Sequence, residues 1–146
     1  MTETGRPGAS LRAWHDFLPE AKIIGADIDP EILFSEGRIR CQYVDQLDLD
    51  SLAGFASSLP DQADVIIDDG LHSAQANLHT IQALLPSCRQ GGWFFIEDIF
   101  PPQIDFFLAL SWILDKQGVQ SRLYEFDKPG AVFAIGPGRS LEDFPV

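Results

Sequence analysis

Two short acidic segments stand where a chain of this kind could do chemistry. Asp68-Asp69-Gly70-Leu71-His72 follows the apolar run ADVII, and Glu97-Asp98 follows the run GWFFI. If the two runs are neighbouring strands, Asp69, Glu97 and Asp98 converge. Three crowded carboxylates repel one another unless a cation lies between them. Hard oxygen ligands suit Mg²⁺ or Mn²⁺, with coordination positions left for water or substrate. His72, three residues past Asp69, is spaced to remove a proton from a metal-bound hydroxyl. Each feature also has an ordinary reading. Glu97-Asp98 can cap a helix opening at Pro101, and His72 can cap a helix or occupy a solvated turn. His15 and His79 sit in helical patterns away from any acidic cluster and read as structural.

A second group lies earlier. The segment Glu3–Ser10 carries Gly5 and Gly8 and runs into a helical pattern. Glycines let a backbone approach a ligand, and a helix N-terminus favours a carboxylate or phosphate. Asp27 follows about twenty residues after Gly5, at the end of the next apolar run. An acid there can accept hydrogen bonds from both ribose hydroxyls. Asp45-Gln46 ends the following run and offers a carboxylate and an amide to an adenine edge. The pairing of glycine loop and acid suits adenosyl cofactors in general, NAD included. A plain Gly/Pro turn and a loop-capping pair would need no ligand.

The elements that must position these residues alternate along the chain. Ala21–Asp27, Ile39–Val44, Ala63–Asp68 and Gly92–Glu97 read as strands. They are apolar on both faces, as in a parallel sheet covered by helices. Helical spacing marks Ser10–Leu18, Leu49–Leu59 and Ser73–Leu85, the last closed by Pro86 and Gly91-Gly92. Pro101-Pro102 opens a helix to about Lys116. Ser121–Asp127 and Ala131–Gly136, joined by the turn Lys128–Gly130, form an antiparallel hairpin. The expected fold is one α/β domain over residues 1–146: a doubly wound, Rossmann-like sheet, mostly parallel, with a C-terminal antiparallel hairpin. Its first strand is truncated to a stub, Met1–Thr4. In an open sheet of this type ligands bind beyond the carboxyl ends of the strands. Four successive runs deliver acid to that rim.

Composition narrows the partners. The chain has 146 residues, 45% of them apolar, and a formal net charge of −12 from 22 acidic and 10 basic side chains. A chain this size buries a sizeable core. Its field repels phosphates, which excludes bare nucleic acid and anionic membranes as partners and favours a cation or a cationic cofactor. No apolar stretch is long enough to span a bilayer, and the N-terminus lacks an apolar signal core. Two cysteines, Cys41 and Cys88, give no disulfide framework. The expected location is the cytoplasm. A short sheet edge with exposed-looking Phe106-Phe107 and Trp112 points to a homodimer.

With these residues in view, GASLRAWHDFLP, IIGADIDP, VDQLD, VIIDDGLH and GGWFFIEDI together resemble the class I S-adenosylmethionine-dependent methyltransferases. The chain is most similar to the metal-dependent sugar O-methyltransferases of macrolide biosynthesis and the cephalosporin-hydroxylase-like group. The resemblance implies that Gly5 and Gly8 lie against the methionine part of S-adenosylmethionine, Asp27 holds the ribose, and Asp45 with Gln46 flanks the adenine. Asp68 joins this cofactor-binding set. It implies Asp69, Glu97 and Asp98 as ligands of Mg²⁺ (or Mn²⁺) and His72 as general base. The implied reaction is O-methylation of a small-molecule hydroxyl on a sugar, polyketide or phenol. Two other readings stand beside it. An NAD-linked oxidoreductase is permitted by Gly5 and Asp27, but gives Asp69, Glu97 and Asp98 no reason to gather. A methyltransferase-like module that has lost its cofactor and serves in association is suggested by the short first strand.

Overall fold

The computed structural model describes residues 7–126 and 130–136. The chain gathers into two compact units, residues 1–45 and 46–146. The expected stub of a first strand, Gly5, and most of the expected Lys128–Gly130 turn lie outside the described residues.

In the first unit, α1 (Ala9–Phe17) is followed by β1 (Ile23–Asp27), a 3-10 turn at Pro30–Ile32, β2 (Ser35–Glu36) and β3 (Ile39–Tyr43). The strands β1 and β3 are parallel, from Ile23 opposite Ile39 to Asp27 opposite Tyr43. The two-residue β2, which the sequence pattern does not announce, pairs antiparallel with β3. A side chain at Gly25 would collide with Leu11 of α1, so glycine here is what lets the helix lie close on the sheet. Arg38 gathers the end of α1. Its guanidinium donates to the carbonyls of His15 (2.7 Å), Leu18 (2.9 Å) and Ala21, a cation at the negative end of a helix.

In the second unit, α2 (Leu49–Ser58) starts at Asp48, whose carboxylate accepts the Asp50 N–H at 2.9 Å. Then come β4 (Ala63–Asp68), α3 (Ala74–Leu84), β5 (Cys88–Ile99), α4 (Ile104–Lys116), β6 (Gln120–Glu125) and β7 (Ala131–Gly136). The sheet order is β4-β5-β7-β6. The strand β4 is parallel to β5, and β7 runs antiparallel to both β5 and β6. Three strands therefore share one direction and β7 alone opposes them. The expected hairpin forms, and its second strand inserts beside β5, leaving β6 at the edge. Phe94, Ile96 and Ile99 of β5, Phe107 of α4 and Phe133 and Ile135 of β7 make the core with Ile81 and Leu84 of α3.

Three expectations need correcting. Gly91-Gly92 does not close α3. It lies inside β5, where the register jumps from Ala63 opposite Cys88 to Val65 opposite Trp93. Gly91 takes φ +88° there, and a Cβ on Gly92 would press on the Asp64 carbonyl. The Pro101-Pro102 pair opens a 3-10 turn, Pro101–Gln103, with the α-helix beginning at Ile104. Phe107 is not exposed but fully buried against the Phe133 ring, whereas Trp112 is 65% exposed. The apolar pattern of α4 is nearly continuous, so sequence alone does not show which face turns inward. Among the described residues no helix is long and apolar enough to cross a membrane.

Candidate metal and cofactor sites

The parallel pairing of β4 and β5 brings their carboxyl ends side by side, with Asp68 opposite Ile96. The turn Asp69–His72 leaves one end and Glu97-Asp98 finishes the other. Two backbone irregularities aim the side chains. Between Ile96 opposite Phe133 and Ile99 opposite Ala131, β5 spends Glu97 and Asp98 where β7 spends only Val132. This is a β-bulge, a device that re-aims a side chain beside a functional site. Asp98 within it has φ +50°, and His72 has φ +49°. They are the only non-glycine residues in the left-handed region among those described. Strain of this kind persists only where the surroundings over-determine it.

The result is a cluster. Asp69, His72 and Asp98 each offer a ligand atom, and these atoms lie within 4.8 Å of one another. His72 Nε2 stands 3.9 Å from Asp69 Oδ1. His72 Nδ1 is buried and has no hydrogen-bond partner among the described residues. The imidazole meets the Phe100 ring edge-on, with centroids 6.3 Å apart. Of the expected trio Asp69, Glu97 and Asp98, Asp69 and Asp98 stand in this mutually close set together with His72. Glu97 remains electrostatically part of the neighbourhood. Burial pushes its carboxyl above the usual range, and the negative charges of Asp69 and Asp98 push it further. Two carboxylates, an imidazole with an orphaned nitrogen and a third acid under like-charge pressure form a donor set that fits a divalent cation.

The turn is held from beneath by a buried polar network. Asp68 is 4% exposed. Its oxygens accept from Gln46 Nε2 (2.7 Å) and Asn77 Nδ2 (3.0 Å). Gln46 also donates to Thr80 Oγ1 at 2.9 Å and accepts the Leu71 N–H at 2.7 Å. Its backbone carbonyl lies 3.1 Å from His79 Nδ1. Gln46 and Asp68, expected at the cofactor, bond each other, and Gln46 also holds the turn that carries Asp69 and His72. Gly70 belongs to the same arrangement, because a Cβ there would overlap the Gln46 amide. Asn77 and Thr80, at i and i+3 on the buried face of α3, escape sequence reasoning. Their one signal is polar side chains on a face otherwise occupied by Ala76, Ile81 and Leu84. Helix capping is not the work of His72, since Ser73 caps α3 through a 3.2 Å bond to the Ala76 N–H. The turn at Pro101 is capped from Gln103, whose Oε1 accepts the Phe100 N–H at 3.2 Å.

In the first unit, Gly8 is the N-cap of α1 at φ +77°. A side chain there would strike the Phe34 ring, so its need for glycine is met within the chain. Asp27 and Asp45 stand at the carboxyl ends of the parallel pair β1 and β3, where the Val44 N–H bonds the Asp27 carbonyl at 2.9 Å. Asp27 Oδ1 accepts the Asp29 N–H at 2.9 Å. Its other oxygen carries no protein hydrogen bond among the described residues and suits a ribose hydroxyl.

No protein-family model matches the chain. Among curated relatives, it is 33% identical over 96 residues to the 8-demethyl-8-(2-methoxy-alpha-L-rhamnosyl)-tetracenomycin-C 3'-O-methyltransferase of Streptomyces olivaceus. That match takes in 64% of this chain and 24% of the relative. It is 38% identical over 93 residues to the mycinamicin VI 2''-O-methyltransferase of Micromonospora griseorubida, covering 64% and 23% respectively. Among solved structures, the MycE methyltransferase of the mycinamycin pathway, in complex with Mg and SAH, superposes with a TM-score of 0.71 at 28% identity. That superposition covers 99% of this chain and 44% of MycE. The chain thus spans about a quarter of the curated relatives it matches and under half of MycE.

Proposed function

We propose that this chain, α/β in fold like the class I methyltransferases and akin in sequence to the sugar O-methyltransferases of macrolide and tetracenomycin pathways, carries the chemistry of an S-adenosylmethionine-dependent O-methyltransferase. The acceptor is a small-molecule hydroxyl on a sugar, polyketide or phenol. The observation that carries the reading is the gathering of Asp69, His72 and Asp98 within 4.8 Å.

The roles follow from the side chains. Asp69 and Asp98 hold Mg²⁺ or Mn²⁺, and the nearby Glu97 adds negative potential. Asp27 accepts from the ribose hydroxyls, Asp45 lies at the adenine, and the backbone at Gly8 meets the methionine part. When bound, S-adenosylmethionine supplies an already activated methyl carbon, and a divalent ion lowers the pKa of an acceptor hydroxyl and orients it. His72 accepts the hydroxyl proton at Nε2. What the chain must supply beyond this is alignment, which contributes roughly 7–11 kcal/mol when reacting atoms are held about 3–3.5 Å apart.

The test is calorimetric titration of the chain with S-adenosylhomocysteine, with and without Mg²⁺. Binding of the nucleoside, together with Mg²⁺ uptake by the same chain, supports the reading. Uptake of neither would leave a methyltransferase-like fold serving in association.

A further inference from the structure

We infer that Gln103 is a positioning residue for the metal site, tying together the two segments that carry its donors. The inference rests on the reading of Asp69 and Asp98 as the ligands of a cation, with His72 beside them. Gln103 sits at the end of the 3-10 turn that follows β5, on neither of the donor-bearing segments. Its amide nonetheless reaches both. Oε1 accepts the Phe100 N–H at 3.2 Å, two residues past Asp98. Nε2 donates to the His72 carbonyl at 2.9 Å. The first bond is half of a capping box and by itself would be a local helix-start device. The second has no part in capping. It crosses 31 positions in sequence to hold the carbonyl of a residue in the left-handed region.

The geometry gives the bond a purpose. His72 and Asp98 both have positive φ, and neither backbone conformation is favoured locally in a non-glycine residue. Without a tie between them, the β4–α3 turn and the β5 bulge can relax separately and the donors drift apart. Gln46 fixes the near side of the turn through the Leu71 N–H, and Gln103 fixes the far side through the His72 carbonyl. Outer partners of this kind orient the groups that bind the ion. A glutamine meets the double requirement because its terminal amide carries a donor and an acceptor on one rigid plane.

The experiment uses Mn²⁺ as probe, with affinity read by electron paramagnetic resonance on the 146-residue chain. In Gln103→Glu the carboxylate still accepts the Phe100 N–H but cannot donate to the His72 carbonyl. It also adds a negative charge, which by simple electrostatics strengthens cation binding. A capping role predicts equal or tighter Mn²⁺ binding. The positioning role predicts binding about tenfold weaker with little change in melting. Faster hydrogen exchange over residues 71–73 in the metal-free chain, with Phe100 still protected, is the second expected result. Gln103→Met, which removes both bonds, should weaken Mn²⁺ at least as much. Unchanged or tighter binding in Gln103→Glu, or unchanged exchange over 71–73, overturns the inference alone. Failure of the wild-type chain to take up Mn²⁺ removes the cation reading beneath it, and the inference falls with it.

Discussion

His72 Nε2 lies 3.9 Å from Asp69 Oδ1, across the turn between β4 and α3, and this pair separates two roles that a metal-assisted methyl transfer needs. On the proposed reading the carboxylate binds the cation, and the imidazole stands beside it without a direct hydrogen bond to that carboxylate. Substitution of each should therefore leave a different signature.

Asp69→Asn and Asp98→Asn should each abolish most Mn²⁺ uptake. The loss should exceed the roughly 10–100-fold typical of changes to a ligand's outer partners. Isothermal titration with Mn²⁺ measures it directly. S-adenosylhomocysteine affinity measured in chelator should change little, because neither residue is assigned to the nucleoside. Equal loss of nucleoside binding would contradict the division of labour.

His72→Gln should lower methyl-transfer turnover by about 10²–10⁴-fold, the range for a lost general base. Mn²⁺ and S-adenosylhomocysteine affinities should stay close to wild type. If instead Mn²⁺ binding falls as far as in Asp69→Asn, His72 is a ligand and not the base.

Gly70→Ala should destabilise the chain by about 1–3 kcal/mol, as overpacking of a well-filled site does. The added methyl meets the Gln46 amide, which is already bonded to Asp68, Thr80 and the Leu71 N–H. Urea unfolding reads the loss. A midpoint equal to wild type would mean that Gln46 shifts aside freely and that the network does not fix the turn.

Alkaline pH should expose the environment of Cys88. Burial raises its thiol above the ordinary range, neighbouring Arg89 pulls it back, and Asp64 pushes it up again. Because the folded pKa is the higher one, the stability it brings is complete below the ordinary thiol value and drains away as pH climbs through the folded value. In a Cys41→Ser background, alkylation by iodoacetamide between about pH 8 and 10 should run several-fold slower in the native chain than in urea. Cys88→Ala should flatten the alkaline limb of the stability profile. Equal alkylation rates in the two states would show an accessible, ordinary thiol.

Much of this architecture is legible from residue order alone. The strand Ala63–Asp68 and the strand Ala131–Gly136 have the bounds that their apolar runs suggest. The helices α1, α2 and α3 fall within a residue of their apolar spacing. These are local properties: side-chain alternation and helical periodicity are written in neighbouring residues. The acids at the strand ends are equally readable, since their position depends only on where an apolar run stops. Tertiary structure alone decided which of those acids meet. Asp98, and not Glu97, joins Asp69 and His72 because a bulge against β7 turns the end of β5, and β7 lies more than thirty residues further along the chain. Gln46 and Asp68 became each other's partners, and Gln103 reached back to His72, through contacts across 22 and 31 positions. Hydrogen bonds between distant residues leave no periodicity in the sequence, so only the folded chain could show which polar groups bond one another and which acids come together.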